Sequence, residues 1–321
     1  MKATAIAHPI QGLVKYHGLK NPTLRIPFHD SISVCVDALE TVTTVQFDKN
    51  LSDDLAIIND ERVSGADLER IMAVVRSLTR MAKNSDHFKI VSKNNLSIGK
   101  GLGFSASGFA ALGFASREAL ELDVNDITLS EIVRLGAGSA TRSLAGGFSI
   151  WYADRGGRSY AEQLAGPDSM DFMQVVVPIA SNVKTDEAHI EVLSSPLFKA
   201  RLDHIDGMLA SMRTAIACKD VGTIGRLAEE DTLNLHAITM TGKSHIVLWE
   251  SDTVRVLKEV IRMREDCVAA WYSMDTGPSV FVNTDSIHVK EVAGRIADLG
   301  LPKVIVSEVG GSPSISDEHL F

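Results

Sequence analysis

Two periods of apolar and polar residues run along this chain, and the switches between them divide it into strands and helices. Residues 31–37 and 41–47 alternate and are rich in Val, Ile and Thr, the pattern of half-buried strands, and the short polar break between them predicts that they pair. The opening residues, 1–9, read as a further strand. At 66–78 the apolar residues Leu68, Ile71, Met72, Val75 and Leu78 recur at helical spacing, and 107–122 does likewise, so each predicts a helix with one buried face. A polar stretch at Gly166-Pro167-Asp168 precedes a strand at 172–179, which places a domain junction near residue 170 and divides the chain into 1–170 and 171–321. Beyond it the pattern predicts helices at 197–219 and 221–239, a third near 251–265, strands at 268–273 and 279–283, a helix at 286–299 and a strand at 303–307. Strands and helices mix in both halves, so the predicted class is α+β in two domains, without internal repeats or low-complexity segments.

Composition narrows the function classes. The chain has 321 residues, 45% of them hydrophobic, enough for a sizeable core. A formal net charge of −9 argues against nonspecific nucleic-acid binding, because a phosphate backbone selects a basic face. No apolar run reaches the roughly 18 residues of a membrane span, and the start reads as a strand rather than a signal peptide, so a cytoplasmic protein is expected. Cys35, Cys218 and Cys267 are odd in number and each lies among apolar residues, which predicts buried free thiols rather than disulfides or a cysteine metal site. His17, His29 and His236 form no recognisable metal spacing, and no metal ligands are assigned.

The chemistry concentrates at glycines. The run from Gly99 to Leu112 passes through Lys100, Ser105 and Ser107 into an apolar helical segment, where free amides and the helix dipole favour an anion. Ordinary strand-to-helix packing explains such a turn about as well. Phe104 sets a bulky ring where a phosphate-cradling loop normally carries a small polar residue. Four further segments place a charge or hydroxyl beside a bend: Val14-Lys15-Tyr16-His17-Gly18, Gly138–Phe148 with Ser139 and Arg142, Met274-Asp275-Thr276-Gly277-Pro278, and Val309-Gly310-Gly311-Ser312-Pro313. A lysine, an arginine, an aspartate and an anion-binding helix start suit a small substrate carrying carboxylate and phosphate. Surface turns also favour Gly, Ser and Asp, and spacing alone does not bring these segments together.

These segments resemble the GHMP kinase superfamily, and within it the mevalonate diphosphate decarboxylase branch, over nearly the whole chain. Val91-Ser92-Lys93-Asn94-Asn95 leading to Gly101-Leu102, then Ser105-Ala106-Ser107-Gly108-Phe109, is similar to that branch's phosphate loop and helix. Ser139-Ala140-Thr141-Arg142-Ser143-Leu144-Ala145-Gly146-Gly147-Phe148 and Asp275-Thr276-Gly277-Pro278 are similar to its catalytic arginine and aspartate segments, and residues 8–18 most resemble archaeal members acting on mevalonate 5-phosphate. The resemblance implies a ribosomal S5 domain 2-like N-terminal domain, a ferredoxin-like C-terminal domain, an active site between them and, from the family alone, a homodimer. The implied reaction releases carbon dioxide and the phosphate on the third carbon of a mevalonate derivative; ATP-dependent relatives first phosphorylate the tertiary hydroxyl.

Carried over position by position, Arg142 would hold the substrate carboxylate in a bidentate pair, with a structural salt bridge as the alternative. Asp275 would sit by the tertiary carbon, accepting the hydroxyl proton or stabilising positive charge as phosphate departs; a turn-capping aspartate is the alternative. Lys15 would neutralise phosphate or polarise the aspartate, against a snorkelling strand lysine. Tyr16, His17 and Ser139 would hydrogen-bond the substrate phosphates, although a histidine this near a strand is often satisfied packing.

Two departures from the family pattern bear on the substrate. Diphosphate-using relatives place a lysine directly after the glycine matching Gly18, where this chain has Leu19, which favours a 5-monophosphate, with Lys20 or Arg25 as compensating charges. In the nucleotide loop a Pro-Thr pair is replaced by Ser97-Ile98, and the first serine of Ser-Ser-Ala-Ser-Gly by Phe104. Phosphate oxygens left unsatisfied beside that ring would cost on the order of several kcal/mol. The expected enzyme is therefore an ATP-independent decarboxylase of mevalonate 3,5-bisphosphate that yields isopentenyl phosphate without a cofactor. Ser105, Ser107 and Lys100 remain as anion ligands, and they keep open an ATP- and Mg²⁺-dependent phosphomevalonate decarboxylase. A mevalonate 3-kinase-like enzyme and a noncatalytic metabolite-binding relative are further alternatives.

Overall fold

The computed structural model describes residues 1–96, 101–180 and 189–321. Strand Lys2–Ala7 lies second in a six-stranded sheet, between Ser314–Ser316 and Thr41–Asp48; His87–Asn94, Leu55–Ile58 and Glu61–Arg62 follow outward. All pairs are antiparallel except Leu55–Ile58 with His87–Asn94. Ala3, Ala5 and Ala7 alternate onto the face that also carries Val45, Phe47, Phe88 and Ile90, and helices Gly65–Ala82, Phe104–Ala119 and Asp126–Gly136 pack there. Helix Gly65–Ala82 contributes Ile71, Val74, Val75 and Leu78, one apolar stripe. Helix Phe104–Ala119 presents Ala106, Ala110, Ala111 and Ala115, and these small side chains let it lie close on the alanine strand.

A second sheet runs Ala161–Ala165, Phe148–Trp151, Ser31–Cys35, Ile10–Val14. The long antiparallel helices Phe198–Ala217 and Val221–Met240 cover it, with Ile205, Met208, Met212, Ile224 and Leu227 packed on Leu13, Ile32, Val34 and Ile150. A third sheet, Trp271–Ser273, Val280–Thr284, Met173–Val177, Ile305–Ser307, is antiparallel throughout and carries helices Ser251–Glu265 and Val289–Ala297 on one face. The α+β class and the two-domain kind of architecture expected from the sequence are thus present.

Two expectations are corrected. The strands at 31–37 and 41–47 do not pair: Ser31–Cys35 sits between Ile10–Val14 and Phe148–Trp151, whereas Thr41–Asp48 belongs to the six-stranded sheet. Ser31–Cys35 is an interior strand, hydrogen-bonded along both edges, and alternation alone does not say to which neighbours. Cys35 is buried, but Cys218 and Cys267 are exposed free thiols. Each of these two follows a helix end, and Cys267 takes a left-handed φ of 64° in the turn that stops Ser251–Glu265. Among the described residues no helix is long and apolar enough to cross a membrane.

Candidate active site

A cavity of about 390 Å³ lies where the end of strand Ile10–Val14, the start of helix Phe104–Ala119, the short helix Ala140–Ala145, helix Val221–Met240 and the 274–277 turn converge. Two glycines permit the convergence. A Cβ on Gly103 would stand 2.6 Å from the Ile10 carbonyl oxygen, and one on Gly101 2.9 Å from Gly277 Cα; both residues also have positive φ. The glycine-rich turn is thereby pressed against both the first strand pair and the aspartate turn, and segments distant in sequence share one wall.

Arg142 is 2% exposed, yet among the described residues its Nε and Nη1 have no hydrogen-bond partner and it forms no ion pair. Its guanidinium stands 5.4 Å from the ring centre of Tyr16 and 5.8 Å from that of Trp151. Burial pulls its pKa below the usual range, while Tyr16 and Asp275 oppose that fall. A buried guanidinium with unpaired donors, on the lining of a cavity, suits a carboxylate or phosphate.

Asp275 accepts the Gly12 backbone N–H at 3.1 and 3.2 Å through its two oxygens. Burial raises its pKa above the ordinary carboxylate range, against the pull of Lys15, Gly12 and Arg142. Lys15 is buried, and its Nζ donates to Thr232 Oγ1 at 3.1 Å and the Ala228 carbonyl at 3.3 Å. Its ion pair is with Asp231, at 3.6 Å.

Of the residues singled out from sequence, Lys15, Tyr16, Ser105, Ser139, Arg142 and Asp275 all line the cavity. His17 and Ser107 do not. The His17 ring is fully buried behind Tyr16, with Nε2 3.5 Å from Thr239 Oγ1, and Ser107 Oγ is committed to Thr41 Oγ1 at 2.7 Å and the Phe104 carbonyl at 3.2 Å. In this arrangement His17 backs the cavity-lining ring of His189, ring centres 4.6 Å apart, and Ser107 ties the helix to strand Thr41–Asp48. Lys100, with Ser97 and Ile98, lies outside the described residues. Phe104 opens the helix, lines the cavity and packs on the cluster of Val36, Leu39, Leu96, Leu102 and Phe281.

Three residues at or behind the cavity wall had been given no site role from sequence. Asp231 is 1% exposed, bonded to the Lys15 backbone N–H at 2.8 Å and to Arg201 at 3.0 Å. His189 lines the cavity and stacks on Tyr16, ring centres 5.1 Å apart. His236 accepts the Trp249 indole N–H at 2.9 Å, and burial with the nearby Lys15 charge pushes its pKa down to about 3. A signal for Asp231 existed, because it falls on the buried stripe Ile224, Leu227, Ala228, Asp231, Leu235, Ile238, where a charge is out of place unless paired.

The comparisons with known proteins agree over the whole length. Residues 7–161 match the diphosphomevalonate decarboxylase-like N-terminal domain, and 184–315 the mevalonate 5-diphosphate decarboxylase C-terminal domain. The chain is 39% identical to the phosphomevalonate decarboxylase of Haloferax volcanii, over 99% of this chain and 98% of that protein. Its fold superposes on the mevalonate diphosphate decarboxylase of Staphylococcus aureus with a TM-score of 0.92 at 30% identity, covering 98% of each chain. It superposes on that of Enterococcus faecalis, described as binding ATP through mevalonate diphosphate, with a TM-score of 0.90 at 25% identity, covering 99% of each.

Proposed function

We propose, from the premise that this chain belongs to the mevalonate diphosphate decarboxylase family of the GHMP kinase superfamily, that it converts mevalonate 3,5-bisphosphate to isopentenyl phosphate, carbon dioxide and phosphate without ATP. The observation that carries the ATP-independent part is Phe104. It occupies the first position of the helix whose N-terminus faces the cavity, its ring packs among apolar neighbours, and the Ser107 hydroxyl one turn on is already engaged. Among the described residues of that turn, only the Ser105 side chain offers the cavity an oxygen, a poor fit to a transferring phosphate and its metal ion. The 5-monophosphate part is supported by Leu19 after Gly18.

In this reading the Arg142 guanidinium takes the substrate carboxylate and fixes the carbon–carbon bond that must break. As the bond from C3 to the phosphate oxygen lengthens, positive charge grows on C3 and the anionic Asp275 stabilises it. The electron pair of the bond to the carboxylate becomes the new double bond, carbon dioxide departs, and the bond pair to oxygen leaves with phosphate. No hydroxyl proton has to be removed. Lys15 adds positive charge beside Asp275 and the departing anion, while Tyr16 and Ser139 lie on the same wall as phosphate partners. We also place the domain junction near residue 170, at the turn Pro167–Ser169, with Ser314–Ser316 returning to the first sheet.

The 39% identity to a phosphomevalonate decarboxylase favours a second reading, ATP-dependent conversion of mevalonate 5-phosphate to the same product. Titration calorimetry with a non-hydrolysable ATP analogue and Mg²⁺, in the presence of mevalonate 5-phosphate, separates the two. No heat of binding at millimolar analogue is expected, and saturable one-to-one binding would overturn the ATP-independent reading.

A further inference from the structure

Behind the cavity wall, three charges are locked together in a nearly dry place. Asp231 receives Arg201 Nη2 on Oδ1 at 3.0 Å, and the Lys15 backbone N–H on Oδ2 at 2.8 Å, with Lys15 Nζ 3.6 Å away. Arg201 is 1% exposed; it also donates to the Lys15 carbonyl at 2.6 Å and to Asn234 Oδ1 at 2.6 Å. Asp231 and Arg201 thus hold the main chain of Lys15 from both its N–H and its carbonyl, and Asp231 holds the side-chain charge as well. Neither Asp231 nor Arg201 lines the cavity, whereas Lys15 and Asp275 do.

We propose that Asp231, backed by Arg201, is a positioning residue for the decarboxylation: it fixes the Lys15 ammonium beside Asp275, so that the aspartate faces the reacting carbon as an anion with a cationic neighbour. The proposal rests on the reading above that Lys15 and Asp275 act at that carbon. Thr232 and the Ala228 carbonyl, from the same helix, complete the cradle for Nζ. The groups facing Lys15 are Asp231 and the neutral His236 on helix Val221–Met240, Arg201 on helix Phe198–Ala217, and Asp275 on the 274–277 turn, with Arg142 acting through Asp275. Burial lowers the Lys15 pKa; Asp231 and Asp275 hold it up, and Arg201 presses it further down.

Removing Asp231 therefore makes the ammonium easier to deprotonate, and removing Arg201 makes it harder. The test is the pH profile of kcat for the purified full chain with the substrate it turns over. Asp231→Asn is expected to move the alkaline limb to lower pH and reduce kcat at least tenfold with KM changed less than threefold. Arg201→Gln is expected to move the same limb to higher pH, a difference of sign that a purely structural role does not produce. Asp231→Glu keeps the charge; it is expected to restore the limb toward its native position and serves where the asparagine variant fails to fold. Lys15→Met is the control. If it is inactive while neither Asp231→Asn nor Arg201→Gln moves the limb, or Asp231→Glu stands in for an unfolded asparagine variant and Arg201→Gln leaves the limb in place, the positioning role is refuted. If Lys15→Met retains activity and the limb, the underlying assignment of Lys15 fails instead.

Discussion

Replacing Arg142 by methionine separates a residue held for substrate from one held for the fold, because the two roles predict opposite effects on stability. The side chain is 2% exposed and, among the described residues, has two unpartnered nitrogens and makes no ion pair. Its closest charge-related contacts among the described residues are the faces of Tyr16 and Trp151, worth about 0.5–2 kcal/mol together, with a weaker attraction from Asp275. Against that loss stands relief of a buried, unpaired charge, whose penalty is on the order of several kcal/mol. Methionine fills a similar volume, so Tm is expected to stay within about 2 °C of the native value or to rise. Catalysis moves the other way. Two charge-assisted hydrogen bonds to the substrate carboxylate, at about 1.5–3 kcal/mol each, are lost. At about 1.4 kcal/mol per tenfold, that is roughly 10²- to 10⁴-fold in kcat/KM. Carbon dioxide release and a thermal melt on the same preparation give both readouts. A structural salt bridge predicts the reverse pattern, destabilisation of about 3–5 kcal/mol, and a large fall in Tm with kcat/KM of the folded fraction unchanged would refute the substrate role.

Asp275→Asn is expected to lower kcat at least 10³-fold while raising stability at neutral pH. Its folded pKa lies above the unfolded value, so the native state binds that proton more tightly. Stability from this group is therefore present below the unfolded pKa and is lost as pH rises through the folded one. Melts across pH 4–8 should show that decline in the native chain and not in the variant, and the native acid limb of kcat should sit above the ordinary carboxylate range. Gly12→Ala is expected to reduce kcat tenfold or more, because its new Cβ would lie 2.6 Å from Lys15 Cγ and 2.7 Å from Asp275 Oδ1; steady-state kinetics with kcat unchanged would show that these two side chains need no fixed spacing.

The sequence was informative wherever chemistry left a local mark. Helix boundaries followed from periodicity, with Gly65–Ala82 and Ser251–Glu265 close to the expected 66–78 and 251–265. Arg142, Asp275, Lys15, Tyr16, Ser105 and Ser139 stood out through glycine-rich segments and do converge on one cavity. Partnership was harder to read. The separation of Ser31–Cys35 from Thr41–Asp48 depends on a strand more than a hundred residues away, Phe148–Trp151, which no local pattern announces. The same limit explains His17 and Ser107. Both sit in motif-rich runs, yet one backs onto Thr239 and the other onto Thr41, contacts made by segments far along the chain. Asp231 and Arg201 carried a weak signal, charges on otherwise buried helix stripes, that becomes legible only when stripes are searched for residues that do not belong.

The most direct measurement of the central claim supplies the purified protein with mevalonate 3,5-bisphosphate in the absence of nucleotide and, in parallel, with mevalonate 5-phosphate plus ATP and Mg²⁺, and follows isopentenyl phosphate and carbon dioxide. The account predicts turnover of the bisphosphate alone. Turnover only of the monophosphate with ATP would contradict it, and would mean that the helix start behind Phe104 still serves a nucleotide.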